Sequence, residues 1–343
     1  MTVSDGRRLL DTSSRENVAV ERCTRWEELR EAVIYHAQLA TLLNAPTKFV
    51  LLNDPDMMGE PHGYRRQEMS IGQRGSQRIE EDLKSFLGTF ARIEPGGATP
   101  LTKHLVQIYK SIQHLQDKIV LVLATDGRPT DSFGYSSTSV DRAFEEALRQ
   151  IQSKAWVVVR LCTDDSSTIQ YYQQLDEHME LSLEVLDDYL DEAKEVYYFN
   201  PWLTYSLPLH RCREMGLSVH SLHRWLDWLD ERPLTRQEIC QALGHLGIAN
   251  WRATPSSLEE PKEWQHFCDE VKRSQKELCS RDSLNGSRVT FSPWNPIRRK
   301  TTLFIDIDKL RRHGSHKSNL WKLVVAILGV VLAIALRWWQ FKQ

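Results

Sequence analysis

The sequence lacks paired cysteines, phosphate-cradling glycine loops and any strong excess of charge. Its six cysteines (Cys23, Cys162, Cys212, Cys240, Cys268 and Cys279) are widely spaced and form no CxxC. That spacing excludes a zinc knuckle or a dense disulfide framework and suits reduced thiols in a cytosolic setting. No GxGxxG follows a strand-like run and no GxxxxGK[ST] occurs, so dinucleotide and P-loop sites are not expected. Lysine and arginine number 44 against 46 acidic residues, a net charge of −2. With the basic residues mostly scattered, no nucleic-acid partner is expected. The amino-terminal stretch MTVSDGRRLLDTSSRENV has no apolar core and cannot serve as a secretory signal.

What is present is an alternation of short apolar runs with amphipathic stretches. Residues 1–23 form a polar amino-terminal segment, of which 1–20 read as mobile. Thr24-Arg25-Trp26-Glu27 fits a capping box, and Trp26, Leu29, Val33, Ala37 and Ala40 follow at helical spacing. Residues 49–52 and 67–71 read as strands and 76–90 as a helix. A glycine loop, Glu94 to Pro100, leads into another helix, with Thr99 in N-cap position and Pro100 at N1. Residues 119–124 (IVLVLA) read as a strand buried on both faces. That strand stops at the turn Thr125-Asp126-Gly127, which puts the Asp126 carboxylate at its carboxyl end. Open α/β sheets bind ligands there; a turn-capping aspartate is the plainer reading. Helices over 140–152, 167–178 and 188–198 alternate with strands over 156–161 and 181–186, the former ending at Asp164-Asp165. Such alternation predicts an α/β fold with a doubly wound, mainly parallel sheet spanning 24–200.

Residues 201–285 change to a helical pattern rich in tryptophan and leucine. There His220 and His223 could share a helix face, but surface or capping histidines are the commoner outcome. A linker, 286–318, carries a strand-like run at 301–307 and a basic cluster around Arg311, Arg312 and Lys317. Then Leu323 to Leu336 contains no polar residue; with Leu320, Trp321, Trp338 and Trp339 it reaches the length a bilayer requires. Residues 319–340 are therefore expected to be a transmembrane helix, with the basic cluster facing anionic headgroups. The chain is thus expected to be single-pass, with its bulk on the cytosolic side.

Gly97-Ala98-Thr99-Pro100-Leu101 and Asp126-Gly127-Arg128-Pro129-Thr130-Asp131, in this order and context, resemble the second and third motifs of a von Willebrand factor A domain. The resemblance covers about residues 10–200. It implies a metal-ion-dependent adhesion site, with Thr99 and Asp126 helping to hold Mg2+ or another divalent cation and a protein ligand completing the coordination. Hydroxyl and carboxylate oxygens are hard ligands suited to such ions. The family's first motif, DxSxS, is matched by Asp11 and Ser13, with Arg15 in place of the second serine. The family's central first strand is here very short, displaced or missing. The resemblance thus implies a membrane-anchored interaction module, cation-dependent or working as a metal-independent scaffold, and not an enzyme. A competing enzymatic reading uses Asp306-Ile307-Asp308 as a metal-phosphate site; an edge strand with both aspartates facing water is the plainer account.

Overall fold

The structure is a computed structural model of the chain. It describes residues 1–11, 18–54, 56–57, 67–178, 183–219, 221–249, 258, 260–285 and 293–313. Its contacts divide the chain into two compact units: Met1–Ala193 with Leu207–Asp227, and Lys194–Ser206 with Trp228–Gln343. Residues 207–227, expected in the separate helical region, therefore join the α/β unit.

The first unit opens with a hairpin, β1 (Gly6–Asp11) paired antiparallel to β2 (Val18–Cys23). This corrects the expectation of a mobile segment. Arg8 stands opposite Glu21 and donates two hydrogen bonds to its carboxylate, at 2.9 and 2.7 Å, so a cross-strand ion pair supports a polar ribbon. Helix α1 (Arg25–Leu42) begins with the expected capping box: Thr24 Oγ1 accepts from the Glu27 amide, and Glu27 reaches back to the Thr24 amide. Strand β3 (Thr47–Val50) is antiparallel to β5 (Glu68–Ile71), and β4 (Asp56–Met57) to β6 (Ile93–Glu94). Helix α2 (Ile79–Phe90) packs Phe86 and Phe90 against Phe49 and Met69.

After α3 (Leu101–Ile112) come β7 (Ile119–Thr125), α4 (Thr138–Gln152), β8 (Ala155–Leu161), α5 (Ser166–His178), β9 (Leu183–Leu186) and α6 (Tyr189–Phe199). Strands β7, β8 and β9 form a parallel three-stranded sheet in that order. The fold is therefore mixed α/β with a parallel sheet flanked by helices. Side chains alternate across a strand. Val157, Val159 and Leu161 thus share one face of β8 and join Leu105, Phe144, Leu148 and Tyr172 in the main core. Each such side chain, fully buried, contributes roughly 1.5–3 kcal/mol.

Strand β7 was expected to be buried on both faces. It is only partly covered, and Val120 is 41% exposed. The cause is its position at an edge: among the described residues it is hydrogen-bonded to β8 alone, whereas β8 has a strand on each side.

The opposite face of β8 carries Val158 and Arg160 beneath α7 (Leu207–Glu214). Arg160 is 2% exposed. Its guanidinium pairs with Glu28 of α1 and, at 2.9 Å, with Glu214 of α7. Gly216, just beyond α7, adopts φ +73, and a Cβ there would lie 2.5 Å from Val120 Cγ1. Only glycine permits this close approach to the sheet.

The second unit holds α8 (Trp228–Glu231), α9 (Arg236–His245), α10 (Pro261–Asn285), a short β10–β11 pair (Trp294–Asn295 and Lys300–Thr301) and α11 (Ile307–Arg312). Buried Asn200 donates to the carbonyls of Leu229 and Arg232 and accepts from the Leu234 amide and Trp202 Nε1, which satisfies all its polar valences. The strand expected over 301–307 instead gives way at Asp306, whose carboxylate accepts from the Lys309 amide and caps α11. Among the described residues no helix is long and apolar enough to cross a membrane; 319–340, like Ser13, Arg15 and His220, lies outside them.

Candidate functional site

Parallel strands place all their carboxyl ends on one edge. Here that edge is acidic. Asp126 follows β7, Asp164 and Asp165 follow β8, and Asp187 and Asp188 follow β9, with Asp191 in the first turn of α6. Two of these carboxylates are committed to helix starts. Asp165 accepts from the amide and hydroxyl of Thr168 and from the Ser167 hydroxyl, which hold its carboxyl down at about 2. Asp188 accepts from the amides of Leu190 and Asp191. Burial among neighbouring carboxylates pushes Asp187 up to about 7.

The Thr99 and Asp126 loops do come together. The Thr130 amide donates to the Thr99 carbonyl at 2.9 Å, and Thr130 Oγ1 accepts from the Thr99 amide at the same distance. Thr99 Oγ1 lies 3.7 Å from where a Cβ on Gly127 would stand. Asn53 ties down the glycine loop by donating to the Gly96 and Ala98 carbonyls. Gly97 has φ +93, and a Cβ there would strike the Asn53 amide at 2.5 Å, so the loop depends on that glycine. Thr99 does not cap α3: the helix begins after Pro100, without a side-chain cap bond, and the Thr99 carbonyl accepts from the Leu101 amide. Its hydroxyl is thereby left beside Gly127. Asp11 ends β1, opposite Val18; its side chain lies outside the described set.

The residues that meet Asp126 were not foreseen. Arg25 donates from Nε and Nη2 to Asp5 at 2.7 and 2.6 Å, while its Nη1 lies 3.6 Å from Asp126 Oδ2 and 3.4 Å from the Asp126 carbonyl. The Met1 amino group also contacts Asp126 Oδ2. The hydrogen bond from Arg25 holds the Asp5 carboxyl below its ordinary value. The start of α1 fixes this arrangement. Its first amides lack intrahelical acceptors, and those of Arg25 and Trp26 donate to the carbonyls of Val3 and Met1, both at 3.0 Å. Arg7 repeats the device on β9's side. Its guanidinium lies 3.2 Å from Asp164, 3.2 Å from Asp188 and 3.1 Å from Asp191. Those three carboxylates are close enough together to hold a cation, and Arg7 already stands among them. The residues missed were thus Asp5, Arg7, Arg25, Asp188 and Asp191. Asp188 and Asp191 had a visible signal, an acidic turn after a strand, but Arg25 lies 101 positions from Asp126, and Arg7 lies 157 from Asp164 and 184 from Asp191.

A divalent cation implied by the resemblance can be tested against this donor set. Mg2+ requires several oxygens at about 2.0–2.1 Å and tolerates little distortion. The Asp126 carboxylate already faces the Arg25 guanidinium, which is fixed by both oxygens of Asp5. Two unit charges 4 Å apart near a protein surface repel by about 4 kcal/mol, and a divalent ion doubles the figure. In this geometry the set fits a guanidinium and does not fit a divalent ion.

Beside Thr99 stands a rigid aromatic turn. Asp131 Oδ1 accepts from the amides of Phe133 and Tyr135, at 2.8 and 2.9 Å, and the Asp131 amide donates to the Tyr135 carbonyl. A Cβ on Gly134 would lie 3.7 Å from Ala98 Cβ. Phe133 is 85% exposed and Tyr135 72%. The Asp306–Asp308 pair shows no comparable convergence: Asp306 caps α11 and pairs with Arg298, and Asp308 faces solvent.

The chain matches no protein-family model, no curated protein and no solved structure.

Proposed function

We propose that the chain is a protein-interaction module of the von Willebrand factor A type, carried on a membrane by residues 319–340. Its sheet would be of the doubly wound kind, with the bulk of the chain on the cytosolic side and a protein as its ligand. The observation that carries this reading is the paired edge itself: the Thr99 and Asp126 loops are locked together, and Phe133 and Tyr135 are presented beside them on a turn pinned by Asp131. Rigid, exposed aromatic side chains supply large contact area at low entropic cost, and aromatic anchors dominate many interfaces.

Site-specific photo-crosslinking in cells tests it. A crosslinking amino acid at position 133 or 135 is expected to trap a discrete protein adduct, and the same group at exposed Ser111, at the far end of α3, to trap none. Equal labelling at all three positions, or none at 133 and 135, sinks the interaction reading. Carbonate extraction of the full chain tests the membrane part separately. Retention in the pellet is expected, and release into the supernatant rules out the anchor.

A further inference from the structure

We propose that Arg25 is a built-in cation: it takes the charge a divalent ion would bring to the Asp126 edge, holds that edge together and closes it to metal. This rests on the reading above that the Thr99 and Asp126 loops form the ligand edge.

Three observations converge on Arg25. First, one guanidinium bridges two carboxylates from remote parts of the chain, with both oxygens of Asp5 on its fork and Asp126 on its third nitrogen. Planar, bidentate pairing of this kind suits arginine and is lost with lysine. Second, the position is imposed by local structure. The capping box puts residue 25 at the first position of α1, and the helix amides bind the carbonyls of Met1 and Val3. The side chain is only 12% exposed, so it is not free to leave for solvent. Third, the same solution recurs on β1, where Arg7 stands among Asp164, Asp188 and Asp191. The edge has thus been neutralised by the chain's own amino-terminal arginines at two points.

The functional consequence concerns how a partner is held. A metal ion offers an open coordination position to a partner's carboxylate. Arg25 offers none, because its donors are turned inward onto Asp5 and Asp126. Recognition then falls to the Thr99 hydroxyl and the Phe133–Tyr135 turn, and binding proceeds in the presence of chelator.

The test uses the full chain in detergent micelles, with Mn2+ as the probe, followed by calorimetry and by the thermal unfolding midpoint. For the wild-type chain, the midpoint is expected to be the same in chelator and in millimolar Mg2+, with no Mn2+ binding. Arg25→Gln is expected to lower the midpoint, to regain part of it on adding Mg2+, and to tighten Mn2+ binding at least about tenfold. Adding Asp126→Asn to that variant is expected to abolish the gain. Arg25→Lys keeps the charge and loses the fork, so it is expected to lower the midpoint while remaining blind to Mn2+. An amino-terminal extension removes the Met1 amine but not Arg25, and is expected to leave the chain blind to Mn2+ as well.

Wild-type binding of Mn2+ that Asp126→Asn removes would overturn the proposal. So would a folded Arg25→Gln chain with no gain in Mn2+ affinity. If Arg25→Gln does not fold, the wild-type chain and Asp126→Asn decide: equal blindness to Mn2+ supports the proposal and a difference overturns it. None of these readouts depends on the crosslinking at 133 and 135, so the two readings fail separately.

Discussion

Strands β7 and β8 have the same length, lie side by side in parallel register, and are both built largely from valine and leucine. Their fates differ. All but one of the β8 residues are buried, while β7 is half-covered and exposes Val120. An apolar run states that a strand is to be enclosed, but the enclosure is supplied by neighbours. β8 has β7 and β9 on its two edges, α4 and α5 against one face and α7 against the other. Among the described residues β7 has a single strand partner, and over Val120 it has the backbone of Gly216. Equal composition therefore gives unequal stability per residue.

This contrast can be broken most severely at Val158, which is fully buried in β8. Val158→Asp puts an unpaired carboxylate there and is expected to cost more than about 4 kcal/mol. Circular dichroism should show no cooperative transition at room temperature. Next comes Arg160→Met, which leaves Glu28 and Glu214 buried without their shared cation. A loss of roughly 3–5 kcal/mol is expected in denaturant titration.

His210 sharpens the comparison through pH. It is fully buried, and burial outweighs the attraction of Glu214 at 3.3 Å, lowering its pKa to about 4 from an ordinary 6.5. The unfolded chain therefore binds the proton more readily, and stability is expected to fall as pH drops from about 6.5 towards about 4. His210→Gln should flatten that part of the urea-midpoint profile; an unchanged slope would remove His210 from the account. The smallest effect is the most direct comparison. Val159→Ala in β8 is expected to cost roughly 1–3 kcal/mol, and Val120→Ala in β7 less than about 1 kcal/mol. Equal losses would show that β7 is enclosed after all.

Much of the first unit was legible where the signal is local. The Thr24–Glu27 capping box, the strand runs of β7, β8 and β9, and the pairing of the Thr99 loop with the Asp126 loop all follow from residues a few positions apart or from a motif pair in order. The β1–β2 hairpin was not legible. Among the described residues, Arg8 pairs with Glu21 across it and the Arg7 amide donates to Glu28 of α1, and neither contact leaves an apolar pattern in the sequence. Nor was Arg25 at Asp126, since nothing in the capping box that fixes its backbone says which carboxylate its side chain will meet. Thr99 reads as a helix cap because threonine before proline favours that role, and a shift of one residue in the helix start leaves the hydroxyl for the edge. Arg160 carried a signal: an arginine inside a run of valines needs an internal counter-ion.

The rim contacts also have a history in time. Arg7 meets Asp191 across 184 positions, and Arg25 meets the Asp126 backbone across 101. During synthesis the hairpin and the start of α1 exist long before any of these carboxylates emerge. Closing such long loops costs entropy that local contacts do not. The amino-terminal arginines are therefore expected to dock last, after the parallel sheet has formed. Until then the nascent chain carries an open acidic rim, and a segment made first becomes the final piece of the domain to settle.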